Sequence, residues 1–117
     1  MTGKKFRPYN TDNVTLNAAS VDETKGTPIS FHDCRQIDWL VKTSAGVATG
    51  VVELESADAS DYSGNWNNID SIDVATIGAG AEYGNSFPCP PGSWVRARIS
   101  TVIGGGTVTV YLNGLLQ

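Results

Sequence analysis

The chain has 117 residues, enough for one domain with a single hydrophobic core. Its thirteen glycines, five prolines and charged fraction of 17% are typical of an all-β domain with many turns, and they argue against a helical one. The net charge of −4 disfavours nucleic acid as a partner, because an acidic surface repels phosphates. No apolar run follows the first basic residues, so we expect no secretory signal, no membrane span and synthesis in a cytoplasm.

The first twelve residues are predicted to form an extended arm ahead of a single domain that spans residues 13–117. Lys4, Lys5 and Arg7 place three of the eight basic residues within the first ten positions, which contain no acid. The rest of the chain carries five basic and twelve acidic side chains, or −7. The arm is either a solvated terminus or a segment that docks on an acidic surface, such as the body of a second copy.

Short alternating segments separated by turn residues predict strands in the first half of the domain. A first strand is expected at residues 14–16, and a second opens at Ile29 with His32 on its polar face. Residues 36–43 alternate strongly enough to predict a central strand. Its inward side chains are predicted to be Ile37, Trp39 and Val41.

A further strand is predicted within residues 47–55, with Val52 and Leu54 inward and Glu53 and Glu55 outward. A polar loop leads to a strand fragment near Trp66 and Ile69, and another strand is marked by three apolar residues. These residues are Ile72, Val74 and Ile77. Residues 78–84 are glycine-rich and are predicted to form a surface loop. No window has the spacing of apolar residues that a helix requires.

The last quarter of the chain predicts a β-hairpin. From Trp94 to Ser100, three apolar residues alternate with polar ones, and residues 107–112 alternate again. Three consecutive glycines, residues 104–106, lie between the two segments and favour a tight reversal. The whole chain therefore predicts seven or eight strands in an all-β, antiparallel β-sandwich that is jelly-roll-like.

The two cysteines, Cys34 and Cys89, lack the spacing of a metal or redox motif. Two free thiols are expected, since a reducing compartment disfavours a disulfide, but their separation in sequence does not decide whether they pair. The single histidine, His32, is expected to be a surface residue, so no thiol or histidine catalysis is predicted. The protein is not expected to be an enzyme and no cofactor is expected.

The acidic residues between positions 58 and 73 do not match the pattern of a calcium-binding loop. Counting from Asp58, Tyr62 falls at position 5 and Gly64 at position 7, which breaks the register of an EF-hand. Solvated loop acids are the preferred interpretation and no metal is predicted. The residues concerned are Asp58, Asp61, Asp70 and Asp73, with Asn65, Asn67 and Asn68.

Aromatic residues offer the one candidate ligand surface. Trp39 and Trp66 are predicted to fill the core. Trp94 shares a face with Arg96 and Arg98, and three tyrosines could extend that surface. The tyrosines are Tyr62, Tyr83 and Tyr111. Trp94 could be buried beneath a loop, lie in a protein interface or form a stacking platform for a sugar.

Two stretches of the chain resemble small β-sandwich proteins of tailed bacteriophage particles. They are VVELESADASDYSGNWNNI and WVRARISTVIGGGTVTVYLNG, which lie within residues 51–117. Members of that class with this length and an N-terminal arm look like capsid cement, or decoration, proteins. The resemblance implies a virion protein that oligomerises on the outside of the head, as a trimer or dimer, and binds the major capsid protein or another virion protein.

The resemblance transfers no catalytic residue to this chain. Binding is expected to involve the arm and the outward face of the last hairpin, through Lys4, Lys5, Arg7, Tyr9, Trp94, Arg96, Arg98 and Tyr111. Two other functions are compatible with the same pattern. One is a tail or baseplate subunit, and the other is a carbohydrate-binding module that uses Trp94.

Overall fold

A computed structural model describes residues 14–21, 23–31, 34–89 and 94–116. These residues form two four-stranded antiparallel sheets, so the predicted all-β sandwich is confirmed. The elements are β1 Val14–Ala19, β2 Ile29–Ser30, β3 Cys34–Thr43, β4 Thr49–Ala57, β5 Asn67–Asp73, α1 Val74–Ile77, β6 Glu82–Pro88, β7 Trp94–Gly104 and β8 Val108–Leu116. The predicted arm, residues 1–12, and the predicted surface residue His32 lie outside the described residues.

The strand order is that of a jelly roll. The first sheet has the order β1-β8-β3-β6 and the second has β2-β7-β4-β5. Consecutive strands lie in opposite sheets, with the exception of β4 and β5, which are neighbours in the second sheet. Strand β3 lies inside its sheet, between β8 and β6, which confirms the predicted central strand.

The predicted C-terminal hairpin is wrong, because β7 and β8 belong to different sheets. Strand β7 pairs with β4, whereas β8 pairs with β3 and β1. The glycine-rich turn therefore carries the chain across the core from one sheet to the other. Alternation and turn residues indicate two strands and a reversal, but they do not determine whether the strands bond to each other.

The core lies between the sheets and contains the side chains predicted to face inward. Trp39 has no exposed surface and makes an edge-to-face contact with Tyr83, with ring centroids 6.1 Å apart. The other fully buried core side chains are Ile37, Val41, Val52, Leu54, Val74, Val95, Ala97, Ile99, Val108, Val110 and Leu112. The two-residue period of the strands therefore placed the apolar side chains correctly.

Two predictions between residues 72 and 89 are wrong. The predicted strand through Val74 and Ile77 is replaced by α1, a single helical turn. The Asp73 side chain begins that turn by accepting a hydrogen bond of 3.0 Å from the Ala75 backbone N–H. The predicted loop of residues 78–84 gives way to β6 at Glu82, because β3 supplies a continuous row of backbone partners there.

The two cysteines form a disulfide, so the prediction of free thiols is wrong. Cys34 begins β3 and Cys89 directly follows β6, and the pairing of Gln36 with Pro88 aligns the ends of these strands. The Cα atoms of the two cysteines are 6.0 Å apart, a normal separation for a disulfide. The sequence does not indicate this proximity, because the glycine-rich residues 78–84 favour a loop and local alternation does not show that β3 pairs with β6.

The turn between β7 and β8 depends on Gly105. Its φ is +89°, and a Cβ atom at this position would collide with the Gly46 carbonyl oxygen. Gly80 has a φ of +63° but has no atom within 4 Å of such a Cβ. A substitution at Gly80 therefore tests the cost of a positive φ without a steric collision.

We expect Gly105→Ala to lower the free energy of unfolding by about 2 kcal/mol, because it adds a clash with backbone to an unfavourable φ. The Gly80→Ala control should lower it by about 1 kcal/mol through φ alone. Urea unfolding of both variants checks the difference. Equal losses would show that the approach of Gly105 to Gly46 does not limit this turn.

Candidate functional site

On the outer face of the second sheet, two acids of β4 lie directly opposite two arginines of β7. Glu53 lies opposite Arg98 and Glu55 lies opposite Arg96 in the β4–β7 register. The Arg98 Nη2 donates to Glu53 Oε1 at 2.8 Å, and the Arg96 Nε donates to Glu55 Oε1 at 2.8 Å. Because side chains on a strand alternate between faces, two acids at alternate positions meet two arginines at alternate positions.

Arg98 is the centre of this ion-pair network. Its Nη1 also donates to both carboxylate oxygens of Glu23 at 3.1 Å, and its Nε lies 3.5 Å from Glu55 Oε2. Burial of the guanidinium opposes its charge, but the carboxylates of Glu55, Glu53 and Glu23 outweigh burial and raise the pKa of Arg98. The network therefore holds its charges in fixed positions on the sheet.

Trp66 covers Arg96 from the loop between β4 and β5. The guanidinium carbon of Arg96 lies 3.9 Å from the centroid of the Trp66 ring, and the Trp66 Nε1 donates to the Tyr62 carbonyl oxygen at 2.8 Å. Trp66 is buried, as predicted, but it packs on the outer face of the sheet and does not belong to the core between the sheets. It fastens the loop to the ion-pair network.

A cleft with a volume of about 400 Å³ opens above the network. Its floor is the Glu53, Glu55, Arg96 and Arg98 group, and residues 62–66 form one wall. The opposite side is formed by Glu23 and Lys25, which lie on a segment bonded to β7 through the Lys25–Arg98 bridge. A smaller cavity of about 190 Å³ lies beside it and shares Tyr62 and Asn65.

The predicted binding residues do not form one surface. Trp94, Arg96 and Arg98 share the outer face of β7, where Trp94 is half-buried and lies opposite Ser30 and Ala57 in the neighbouring strands. Tyr111 lies on β8, in the other sheet, with the Lys42 Nζ 5.9 Å from its ring centroid. The predicted arm residues lie outside the described part of the chain; they are Lys4, Lys5, Arg7 and Tyr9.

The other tyrosines predicted to extend that surface have different positions. Tyr62 is 48% exposed and lines the cleft. Tyr83 is half-buried at the edge of the sandwich, where its hydroxyl lies 3.3 Å from Asp70 Oδ2 and 3.3 Å from Asn85 Nδ2. Only Tyr62 therefore joins the outer face of the second sheet.

The acidic residues between positions 58 and 73 do not come together around one point. Asp73 caps α1 and Asp70 contacts Tyr83, whereas Asp58 and Asp61 are exposed in the loop after β4. Within residues 14–21, 23–31, 34–89 and 94–116, no group of three or more histidine, cysteine or acidic side chains could hold a metal ion. No helix in these ranges is long and apolar enough to cross a membrane.

Sequence reasoning missed the cleft. It placed Glu53, Glu55 and the two arginines on outward faces, but it did not pair β4 with β7. The matching spacing of two outward acids and two outward arginines was an available signal. The approach of Glu23 and Lys25 left no such signal, because it depends on backbone bonds between an irregular segment and β7.

Comparison with known proteins found no match: no protein-family model, no curated protein and no solved structure matched this chain.

Proposed function

We propose that this chain is a structural protein of a phage virion that binds the outside of the capsid and stabilises the shell. Its partner would be the major capsid protein, and it would act as a homo-oligomer, a dimer or a trimer. The mechanism is mass action: a protein that binds only the assembled lattice stabilises it to a degree set by its affinity and free concentration. Jelly rolls occur in viral capsid domains, which is compatible with this role but does not by itself assign it.

One observation carries the proposal. The two stretches that resemble phage β-sandwich proteins contribute β4 and β7, which are hydrogen-bonded neighbours, and Trp66 of the first stretch packs on Arg96 of the second. These parts of the two stretches therefore share one continuous face, while the end of the second stretch forms β8 in the first sheet. That face presents charges fixed by ion pairs and the half-buried Trp94, and rigid charged and aromatic groups favour protein association because little mobility is lost on binding.

Trp94→Ala should weaken binding to undecorated phage heads by about 30-fold, which corresponds to the loss of an aromatic anchor at about 2 kcal/mol. Deleting residues 1–10 should weaken it as well, because the basic arm would lose its attraction to an acidic surface. Co-sedimentation of purified protein with heads measures both effects. Val102→Ala is a suitable control, since Val102 lies on the same strand and is 53% exposed.

The same sedimentation with purified tails tests the alternative of a tail or baseplate subunit. Binding to tails and not to heads would replace the capsid with the tail as partner. Binding to neither particle would contradict a virion role. If the deletion variant binds heads as well as the unaltered protein, the arm does not take part in binding. If Trp94→Ala binds heads unchanged, the outer face of the second sheet is not the capsid contact.

A further inference from the structure

We propose that the cleft on the second sheet binds a neutral saccharide. This site lies on the same face as the proposed capsid contact, and it differs from a platform on Trp94 because its exposed aromatic residue is Tyr62. The cleft volume of about 400 Å³ lies within the usual range for small-ligand sites. It can hold one or two sugar rings.

The charge of the cleft favours an uncharged ligand. Three carboxylates, those of Glu23, Glu53 and Glu55, and three cations, those of Lys25, Arg96 and Arg98, line it. These six charges sum to zero, and all of them except that of Lys25 take part in the ion-pair network, so neither an anion nor a cation gains net attraction. Hydroxyl groups of a neutral sugar can still bond to the ionised groups, and such hydrogen bonds are stronger than those between neutral groups.

The rim of the cleft supplies the remaining groups that a sugar requires. Tyr62 is 48% exposed, so its ring is available to the apolar face of a sugar ring. Asn65 and Asn68 also line the cleft, and an amide both donates and accepts hydrogen bonds, as a sugar hydroxyl does. The Asn68 Nδ2 lies 3.3 Å from Glu53 Oε1, which links this amide to the floor.

The aromatic rim is held in place before any ligand binds. Trp66 is wedged against Arg96 and donates to the Tyr62 carbonyl, which fixes the backbone of the loop. The end of the Tyr62 ring lies directly over Gly64, where a Cβ atom would collide with the phenol oxygen. Fixing these groups in advance lowers the entropy lost on binding.

The proposal is tested by titrating the isolated, disulfide-bonded protein with neutral disaccharides and following its amide resonances. The probes are cellobiose, maltose, lactose and N,N′-diacetylchitobiose, with sialyllactose as an anionic probe and glycerol as a control for weak polyol effects. We expect saturable shifts confined to residues 53–55, 62–68 and 96–98 with at least one neutral disaccharide. Sialyllactose and glycerol should bind more weakly than that sugar.

Three substitutions at two positions locate the site. Tyr62→Ala should weaken the association by about tenfold, because the stacking surface is lost, whereas Tyr62→Phe should retain it. Gly64→Ala should weaken binding by displacing the Tyr62 ring while the ring itself is kept. Tyr111→Ala is the matched control, since Tyr111 lies on the other sheet, and it should bind like the unaltered protein.

Several outcomes would overturn the proposal. They are the absence of saturable shifts with all four neutral disaccharides, tighter binding of sialyllactose than of any neutral sugar, and an unchanged affinity in Tyr62→Ala. Sugar-induced changes in amide resonances that fall on the first sheet would overturn the proposal too. None of these results depends on phage particles, so the saccharide site and the virion role can fail separately.

Discussion

Removing the disulfide between Cys34 and Cys89 should lower the free energy of unfolding by about 4 kcal/mol. The bond closes a loop between residues 55 positions apart, and a link across a loop of this length strongly restricts the unfolded chain. It also joins the start of β3 to the end of β6, which is an edge strand of its sheet. The Cys34→Ala/Cys89→Ala variant, unfolded in urea, measures the loss.

Reductant provides the internal control for this prediction. It should bring the unaltered protein to the stability of the double variant and should leave the variant itself unchanged. A native protein that titrates two free thiols, or a variant as stable as the unreduced protein, would contradict the disulfide. The variant removes the Cys34 sulfur from the core and the Cys89 sulfur from beside it, so a small packing loss adds to the effect.

Glu55→Ala should lower the free energy of unfolding by about 3 kcal/mol. The Glu55 side chain is only 6% exposed and faces two guanidinium groups, those of Arg96 and Arg98. Its removal leaves these partly buried cations without one of their carboxylates, and an uncompensated charge in such a place is strongly destabilising. The effect stays near the lower end of the usual range because Arg98 retains Glu53 and Glu23.

The pair formed by Lys42 and Glu82 is a matched control. Its atoms are 3.6 Å apart and its side chains are 46% and 56% exposed, so Glu82→Ala should change stability by less than about 0.5 kcal/mol. A double-mutant cycle with Glu55→Ala and Arg96→Ala should then show that their effects on the free energy of unfolding are not additive, because the two side chains are hydrogen-bonded to each other. Equal effects of Glu55→Ala and Glu82→Ala would contradict the importance of the network.

The parts of the fold that depend on local alternation were predictable from sequence. Ile37, Trp39 and Val41 alternate with less buried positions along one strand, and their complete burial follows from the two-residue period. Strand pairing was not predictable in the same way. The segments on either side of residues 104–106 look like a hairpin, and only the competition with β4 and β3 for backbone partners places them in opposite sheets.

The candidate site was also predicted only in part, because local alternation shows which way a side chain faces but does not show which strands pair. Arg96 and Arg98 were assigned to an outward face from the spacing of β7, and the structure confirms that placement. Their carboxylate partners could not be assigned, because the pairing of β4 with β7 crosses about 40 residues of intervening chain. Trp66 was expected in the core because it is large and apolar. The structure instead buries its side chain against Arg96 on the outer face of the second sheet.

The exchange of sheets at nearly every turn has a consequence for how the protein reaches this structure. Strand β1 is hydrogen-bonded to β8, near the opposite end of the chain, and β3 lies between β8 and β6. During synthesis, the first sheet cannot be completed until β8 has left the ribosome, because β8 is the strand that pairs with β1 and joins it to β3. Folding dominated by such distant pairings is slow, and exposed strand edges favour aggregation meanwhile. Nascent chains truncated before residue 108 should therefore be the form most dependent on chaperones.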